Sequence, residues 1–271
     1  WTAFTIEITD SYGNRTSDAD SVTVSSSVAL GGTTTQAASA GLATFDDITC
    51  DTAGAITLTG SVADVTVTDT PASDAVTVSA DAASYFKVTG DAAMTAGGSN
   101  TITITAYDQY DNVAAGYSGD KTLTFSGASS SADPVTSPTC SDKVPADIDF
   151  SSDTVVAFEG GAGTSTMKLY KAEEAHIKAA DGTIVTSDTD DLDVTVSAGT
   201  KNKLLWVTQP ATPVGAGAIW TAFTIEITDS YGNRTSDADS VTVSSSVALG
   251  GTTTRAASAG LATFDDITCD T

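Results

Sequence analysis

The sequence predicts an all-β chain made of tandem β-sandwich domains, and three observations lead to that prediction. Apolar residues recur at every second position in short runs, as in Phe4, Ile6 and Ile8, which gives a strand one buried and one solvated face. Thr, Ser, Gly and Asp fill the segments between these runs, a composition typical of strands and polar turns. A long passage near the start also returns near the end, which indicates an array of related domains.

The internal repeat defines the organisation of the chain. Residues 1–52 and 220–271 are identical except that Gln36 corresponds to Arg255, at an offset of 219 residues. The apolar run 203–207 has no counterpart before the first copy, and the runs that follow the first copy have none after the second. We therefore expect a 219-residue unit, made of two domain types, that repeats along a longer chain.

Three domains in the order A-B-A follow from the strand pattern. We place the first type A domain at 1–80, the type B domain at 84–198 with an insert at 127–150, and the second type A domain at 202–271. The predicted strands of type A carry Phe4, Ile6 and Ile8, Val22 and Val24, Leu42 and Phe45, Ile56 and Leu58, and Val76 and Val78. Turn signals separate them at Tyr12-Gly-Asn14, Leu30-Gly-Gly32, Ala53-Gly54 and Thr70-Pro71.

The type B domain repeats this pattern with different residues. Its predicted strands carry Phe86 and Val88, Ile102 and Ile104, Leu123 and Phe125, Val156 and Phe158, Met167 and Leu169, Ile177, and Leu192, Val194 and Val196. The turn 108–112 corresponds in position to the turn 10–14 of type A. The linkers 80–83 and 199–202 are short, which favours a semi-rigid rod over loosely tethered domains.

At the level of whole passages, the chain resembles bacterial immunoglobulin-like tandem repeats. The resemblance lies in TITITAYDQYDNVAAGYSGDKTLTFSG, KLLWVTQPATPVGAGAIWTAFTIEITDSYGN and GLATFDDITCDTAGAITLTGS, and it extends over nearly the whole chain. It implies tandem immunoglobulin-like β-sandwich domains of a large protein of adhesin or stalk type, with an extracellular or cell-surface location. The insert 127–150 and the cysteines depart from the common pattern of such repeats.

The charge of the chain limits its partners. The formal net charge is −24, from 35 acidic and 11 basic residues. Such a surface repels nucleic acid and anionic membranes, so neither is an expected partner. The sequence also contains no apolar run of about 18 residues, so we expect no membrane insertion within this segment.

The turns with the pattern Asp-x-Tyr-Gly/Asp-Asn are the first candidate site. Gly and Asn tolerate positive φ and Asp bonds its own backbone, so turn chemistry alone accounts for these residues. The alternative is a Ca²⁺ site with ligands from Asp10, Asp108 and Asp111, or from the acidic run with Asp188, Asp190 and Asp191. Calcium requires six to eight oxygen ligands, so one turn is insufficient. We expect no cofactor, with Ca²⁺ at an interdomain site as the alternative.

Two further motifs concern modification. Asn14 and Asn233 each begin an Asn-Arg-Thr triplet, the acceptor pattern for N-glycosylation. Cys50, Cys140 and Cys269 are the three cysteines, one in each predicted domain, so no disulfide closes within a domain. We expect Cys50 and Cys140 to lie a whole domain apart, which leaves an interdomain or interchain disulfide with a neighbouring chain, or free thiols, as the two alternatives.

The sequence predicts no enzyme. His176 is the single histidine, and no nucleophile and base can be paired with it from the sequence. We expect a structural segment of an extracellular fibre, stalk or surface filament, with neighbouring repeats or chains as partners. The alternative is an adhesin or carbohydrate-binding module that contacts surface glycans through loops or an exposed sheet face, for which Trp1, Trp206 and Trp220 are the candidate aromatics.

The two incomplete copies leave a second alternative open. In a continuous array, each copy is completed by the adjoining sequence of the same chain. In a set of separate subunits, strand exchange between chains closes both incomplete domains.

Overall fold

A computed structural model describes residues 1–63, 72–212 and 214–269. The described residues form strands that pair in several sheets and contain no helix, so the predicted all-β class is confirmed. The predicted turn at Thr70-Pro71 lies outside these residues. Nowhere in the described part is there a helix long and apolar enough to cross a membrane.

The chain divides into two compact units. Unit 1 contains Trp1–Ser84 and Ala106–Tyr117, and unit 2 contains Tyr85–Thr105 and Ser118–Thr271. The sequence-based domain boundaries near 80–84 and 198–202 stay a prediction.

Unit 1 is a sandwich of short strands. They are β1 (Phe4–Glu7), β2 (Ser21–Ser26), β3 (Thr35–Ala37), β4 (Leu42–Phe45), β5 (Gly54–Ile56), β6 (Leu58–Val62) and β7 (Val76–Val78). β1 pairs with β4, β2 pairs with both β3 and β6, and β5 pairs with β7, all antiparallel. The alternation of apolar and polar residues gives each layer one face toward a shared core.

The core of unit 1 forms where the layers meet. Val22, Ala43 and Phe45 are fully enclosed, and the rings of Phe4 and Phe45 stack with centroids 5.3 Å apart. Gly60 on β6 faces β1 so closely that an added Cβ would lie 2.9 Å from Ile6 Cδ1. Glycine at this position therefore lets the two layers approach without a shift of the Ile6 side chain, which a larger residue would require.

One predicted strand of unit 1 is two strands in the structure. The sequence pattern predicts a single strand through Ile56 and Leu58, but Ile56 ends β5 and Leu58 begins β6. β5 pairs with β7 and β6 pairs with β2, so the chain changes sheets at Thr57. Alternating burial continues through this change, and the sequence pattern therefore did not reveal it.

Unit 2 contains the remaining strands. In its first part they are β8 (Tyr85–Thr89), β9 (Ala93–Thr95), β10 (Ser99–Tyr107), β11 (Gly119–Ser126), β12 (Thr139–Ser141), β13 (Asp147–Asp149), β14 (Thr154–Glu159), β15 (Ala162–Lys168), β16 (Glu174–Ala180) and β17 (Leu192–Ser197). β10 extends by its last two residues into unit 1. In its second part they are β18 (Lys203–Thr208), β19 (Phe223–Thr228), β20 (Ser240–Thr242), β21 (Leu249–Gly250), β22 (Thr254–Ala256), β23 (Leu261–Phe264) and β24 (Thr268–Cys269).

β11 joins the two layers in the first part of unit 2. Its residues from Gly119 to Leu123 pair with β14, and those from Thr124 to Ser126 pair with β16. β14 and β15 form a hairpin through Gly160 and Gly161, which both have positive φ. Strands β12 and β13 lie in the insert 127–150 and extend the sheet beyond β15. The insert is thus part of the fold.

The second copy of the repeat packs around its own core in unit 2. β19 lies between β18 and β23, and the rings of Phe223 and Phe264 stack with centroids 5.2 Å apart, as Phe4 and Phe45 do in the first copy. Phe223, Ala262 and Phe264 are almost fully enclosed. Identical sequence therefore gives the same local packing in both units.

Candidate functional site

The Asp-x-Tyr-Gly/Asp-Asn turns share one internal geometry. In the turn 229–233, Asp229 Oδ1 accepts hydrogen bonds from the backbone N–H groups of Tyr231 at 2.8 Å and of Asn233 at 2.9 Å. The turns 10–14 and 108–112 have the same pair of bonds at 2.9 Å each. In all three, the Asn side chain also donates to the Asp carboxylate. We call these three segments the Asp–Asn turns.

The fourth residue of each Asp–Asn turn explains the Gly/Asp alternation. Gly13, Asp111 and Gly232 have φ values of +81°, +66° and +83°, in the left-handed region. Glycine occupies this region without steric cost, and Asp is among the few other residues that tolerate it. Turn chemistry thus accounts for this position in all three turns.

In unit 1, the turn 108–112 is bonded to a segment distant in sequence. Asn112 Nδ2 donates to the carbonyl of Asp51 at 2.7 Å, and Asn112 Oδ1 accepts from the N–H of Ala53 at 2.9 Å. Asp108 Oδ2 accepts from the N–H of Asp81 at 2.9 Å. Asp81 belongs to the predicted linker 80–83, so the turn fixes both a loop and the linker.

In unit 2, the turn 229–233 makes the same set of contacts. Asn233 Nδ2 donates to the carbonyl of Tyr170 at 2.8 Å, and Asn233 Oδ1 accepts from the N–H of Ala172 at 2.7 Å. Asp229 Oδ2 accepts from the N–H of Gly199 at 2.8 Å. Gly199 is the first residue of the predicted linker 199–202.

Both contacts follow one chemical rule. The Asn side-chain amide presents one donor and one acceptor, so it pairs with the carbonyl of one residue and the N–H of the residue two positions later, as a neighbouring strand would. The Asp carboxylate binds the N–H of a linker residue at the same time. Asp108 and Asp229 are 0% and 1% exposed, so their carboxylates are shielded from water.

The turn 10–14 supplies an internal comparison. Asp10 and Asn14 are exposed, and Tyr12 is 89% exposed. Within the described part of the chain, the hydrogen bonds of Asp10 and Asn14 stay inside the turn. The turn geometry therefore forms without the distant contacts, which are an additional property of the turns 108–112 and 229–233.

Aromatic and charged contacts surround the turn 229–233. The rings of Tyr231 and Tyr170 have centroids 5.0 Å apart, and a Cβ added at Gly97 would lie 2.6 Å from the Tyr231 ring. The insert contributes Asp133, whose N–H donates to the Tyr231 carbonyl at 3.3 Å. Lys203 Nζ in turn donates to the Asp133 carbonyl at 2.5 Å and to its carboxylate at 2.9 Å. Tyr231 of the turn thus contacts Tyr170, Gly97 and the insert residue Asp133.

The Asp carboxylates of the turns are held in their ionised form. Burial by itself raises the pKa of Asp229, but hydrogen bonds from the Asn233 side chain and from the Gly199, Asn233 and Tyr231 N–H groups outweigh it, and the pKa lies below its ordinary value. The pKa of Asp108 is lowered by the same balance. For Asp10, the side chain and backbone N–H of Asn14 are the main causes of a lowered pKa.

The proposed calcium ligands occupy two separate settings. The carboxylate oxygens of Asp108 accept hydrogen bonds from N–H donors. These bonds stabilise the carboxylate without a cation, and a cation would have to compete with them for the same oxygens. In the acidic run, Asp188 forms an ion pair with Lys178, and the Ser187 hydroxyl donates to Asp190 at 2.5 Å. Calcium binding by Asp10, Asp108, Asp111, Asp188, Asp190 and Asp191 stays a prediction.

His176 lies beside part of this acidic run. Its Nδ1 is 2.5 Å from Asp193 Oδ1 and 4.0 Å from Asp191 Oδ2, and these ligand atoms form a group that could hold a metal ion. The sequence did not indicate this grouping, because His176 and Asp193 are brought together only by the register of β16 with β17.

The two glycosylation acceptors differ in accessibility. Asn14 is exposed, and its Nδ2 bonds only to the Asp10 carboxylate within the described residues. Asn233 is 8% exposed, and its Nδ2 donates to both Tyr170 and Asp229. A glycan on Nδ2 of Asn233 would replace both of these hydrogen bonds. Asn14 is exposed, so a glycan fits on its side chain. Modification of either residue stays a prediction.

The cysteines also differ. Cys140 is fully buried in β12, opposite Met167 of β15, and burial raises the pKa of its thiol to about 12. Cys50 and Cys269 are half-buried, and Cys50 Sγ donates to the Thr52 carbonyl at 3.4 Å. An interdomain or interchain disulfide stays a prediction, and the half-buried pair is the more accessible for it.

The tryptophans lie at the edge of the repeat core. Trp206 and Trp220 both pack against Phe223, with ring centroids 5.6 and 6.3 Å away. Trp206 is nevertheless 50% exposed and Trp1 is 41% exposed. These side chains are therefore part of the sandwich and at the same time available for contact.

Comparisons with known proteins give structural similarity only. Neither a protein-family profile nor a curated protein sequence matches the chain. Among solved structures, invasin, a bacterial integrin-binding protein, is 13% identical over 100% of this chain and 51% of its own, with a TM-score of 0.34. InvD of Yersinia pseudotuberculosis is 18% identical over 98% and 78%, with a TM-score of 0.37. Domains 4–9 of surface layer protein SbsC are 16% identical over 98% and 37%, with a TM-score of 0.28.

This chain spans about half the length of the invasin structure. The similar structures include bacterial surface proteins, and at this level of identity and TM-score they do not assign a function.

Proposed function

We propose that the chain is a structural repeat segment of an extracellular fibre, stalk or surface filament, and that it has no catalytic role. The observation that carries the proposal is the recurrence of the Asp–Asn turn contacts at the two predicted linkers, with Asp81 in unit 1 and with Gly199 in unit 2. A spacer must transmit force through its linkers, and partly buried hydrogen bonds to the main chain of the predicted linkers resist bending there.

The chemistry of the turns supports a passive role. Each buried carboxylate is satisfied by N–H donors from the protein, so no oxygen is left exposed for a substrate at Asp108 or Asp229. The high negative charge keeps closely spaced copies soluble and apart from anionic surfaces. The proposed partners are neighbouring repeats or chains, and the proposed location is extracellular or at the cell surface.

The proposal includes linkers that are stable without calcium. The N–H donors here already occupy the oxygens of the ionised carboxylates of Asp108 and Asp229, which a calcium ion would otherwise bind. We expect the same melting temperature in EDTA and in millimolar CaCl₂. A rise of several degrees with CaCl₂ but not with MgCl₂ would instead establish a calcium-dependent array.

Electron microscopy of the native material tests the role itself. Antibodies raised against the chain should label a filament or stalk at regular intervals along its length, since the proposed array repeats the 219-residue unit. Label confined to the distal tip, together with binding of the chain to a glycan array, would favour the adhesive alternative and contradict the spacer role.

A further inference from the structure

In unit 2, a group of metal-ligating side chains outside the Asp–Asn turns lies where β16 meets β17. It consists of His176, Asp191 and Asp193, and their ligand atoms all lie within 4.8 Å of one another. His176 Nδ1 is 2.5 Å from Asp193 Oδ1 and 4.0 Å from Asp191 Oδ2. We call these three residues the His–Asp cluster.

The sheet of unit 2 fixes the position of the His–Asp cluster. His176 of β16 lies directly opposite Asp193 of β17 in the antiparallel register, and Asp191 directly precedes β17. β16 also pairs with β11, and β17 also pairs with β9. Both strands are therefore held by neighbours on two edges, so the cluster is supported by backbone that the sheet already orders.

Asp191 is a nearly buried carboxylate without a hydrogen-bond donor. Its side chain is 10% exposed, and among the described residues no N–H or O–H group donates to it. The buried carboxylates of Asp108 and Asp229 each accept several such bonds. A buried carboxylate that lacks them is costly unless a cation lies beside it. Asp191 Oδ2 faces His176 Nδ1, so a compensating ion would lie within the cluster.

The nearby lysine does not supply this compensation directly. The Lys178 ammonium, two residues along β16 from His176, donates its hydrogen bond to Asp188. Its interaction with Asp191 is electrostatic, without a hydrogen bond. The Asp191 carboxylate therefore keeps its oxygens available as ligands.

The donor set of the cluster favours zinc over calcium. It offers one imidazole nitrogen and two carboxylates, which Zn²⁺ binds at about 2.0–2.2 Å. Zinc sites are tetrahedral, so three side chains leave one position for a solvent water. Ca²⁺ takes six to eight oxygen ligands, which one imidazole and two carboxylates do not provide.

The cluster is accessible and close to the required dimensions. The side chains of His176 and Asp193 are 63% and 75% exposed, so an ion can enter from solvent. Four ligands at about 2.1 Å from a tetrahedral ion lie about 3.4 Å from one another. This spacing falls between the 2.5 Å and 4.0 Å separations in the cluster. Small rotations of the two exposed side chains therefore suffice.

We propose that His176, Asp191 and Asp193 bind a Zn²⁺ ion that links β16 to β17. The net charge of −24 concentrates cations at the surface, and the imidazole nitrogen selects a transition metal among them. The site is independent of the proposed spacer role, because hydrogen-bonded linkers need no metal in this sheet. Absence of zinc binding would leave the spacer proposal intact, and tip-only labelling in microscopy would leave the zinc site intact.

NMR of the imidazole tests the site directly, because His176 is the single histidine of the chain. The full chain is treated with EDTA, and its accessible thiols are alkylated because thiolates also bind zinc. We expect ZnCl₂ to shift the imidazole ¹⁵N and ¹H signals, with saturation at one equivalent, and CaCl₂ to leave them in place. Signals that stay unchanged up to millimolar ZnCl₂, or that respond equally to CaCl₂, would overturn the proposal.

Matched variants separate a zinc site from the general attraction of an acidic surface. In calorimetry, His176→Ala and Asp191→Asn should each bind Zn²⁺ at least about tenfold more weakly, since even outer-shell partners of a metal ion contribute that much. Asp190→Asn is the control, because it removes a charge from the same acidic run, but Asp190 is bonded to Ser187 and lies outside the cluster. It should bind Zn²⁺ as tightly as the wild type. Equal weakening by all three substitutions would indicate charge attraction alone and overturn the site.

Thermal unfolding checks that the variants fold and that the ion binds the folded sheet. At about a hundredfold excess over its dissociation constant, ZnCl₂ should raise the melting temperature of the wild type and of Asp190→Asn by a few degrees. His176→Ala loses an exposed side chain, so it should melt near the metal-free wild type and show no rise with ZnCl₂. An equal rise in His176→Ala would place the stabilising ion elsewhere and overturn the proposal.

Discussion

Asn233 Nδ2 donates a hydrogen bond to the main-chain carbonyl of Tyr170 at 2.8 Å, across 63 residues of sequence. The same side chain accepts from the N–H of Ala172, so one amide replaces a segment of strand pairing. Asn14, which occupies the identical position in the other copy of the repeat, bonds only to its own turn within the described residues. A comparison of the same substitution in the two copies therefore separates the stability contributed by the turn from that contributed by the distant contact.

Replacement of Asn233 by Ala should destabilise unit 2 by about 1–3 kcal/mol, because two partly buried main-chain groups lose their partner. The Ala172 amide should also exchange with solvent faster, which hydrogen exchange measures residue by residue. The control is Asn14→Ala, which removes the same turn bonds at an exposed site and should cost about 0.5 kcal/mol or less. Equal costs for the two variants would contradict a role for the distant bonds.

The stability of unit 2 should depend on the ionisation of Asp229. Its folded pKa lies below the ordinary value of 3.8, so the stabilisation is fully present above pH 3.8 and is lost as the pH falls through the folded pKa. The difference in denaturation midpoint between wild type and Asp229→Asn should be constant near neutral pH and should shrink below pH 3.8. The Asp10→Asn variant measures the pH-dependent stabilisation that arises from hydrogen bonds within a turn alone. A difference that grows toward low pH would have the wrong sign.

The single substitution between the two copies should be visible as a pKa difference. Arg255 lies 2.7 Å from Asp265 Oδ1 and 3.0 Å from Asp266 Oδ1, and Gln36 takes its place in the first copy. Hydrogen bonds from the Thr252 side chain and backbone, with a further contribution from Arg255, lower the pKa of Asp266 to about 2. Arg255→Gln should raise that pKa, and Gln36→Arg should lower the pKa of Asp47. Carboxyl NMR titration measures both, and unchanged values would contradict the ion pair.

The sequence was sufficient for the fold class and for most strands, because alternating apolar residues report directly on burial at each position. It also located the Asp–Asn turns, since left-handed φ at Gly13, Asp111 and Gly232 restricts the residue types allowed there. It did not reveal that Asn112 and Asn233 bind distant main chain. Nothing in the residues 51–53 or 170–172 marks them as partners, because backbone groups have no sequence signature.

Other features were missed for the same physical reason. The insert 127–150 was recognised only as an interruption, although Asp133 contacts both Tyr231 and Lys203. The proximity of His176 to Asp193 depends on the register of two strands, which the spacing of residues along the chain does not determine. Local conformation was therefore predictable, whereas contacts between segments required the structure.

The thiols should react in two classes. Cys140 is fully buried and its pKa is raised to about 12, so it has almost no thiolate at pH 8. In the reduced native chain, a maleimide reagent should label Cys50 and Cys269 at least tenfold faster than Cys140. After unfolding in guanidinium all three should react alike, which is the control. Fast native labelling of Cys140 would show that β12 opens.

The ring contact between Tyr231 and Tyr170 should contribute to holding the turn 229–233 in place. With centroids 5.0 Å apart, such a pair contributes about 0.5–1.5 kcal/mol beyond its burial. A double-mutant cycle of Tyr231→Ala and Tyr170→Ala should therefore give a coupling energy in that range. Tyr12→Ala is the matched control, because Tyr12 occupies the same repeat position at 89% exposure. It should leave stability unchanged within about 0.5 kcal/mol. Purely additive costs for Tyr231 and Tyr170 would show that the turn is held by its hydrogen bonds alone.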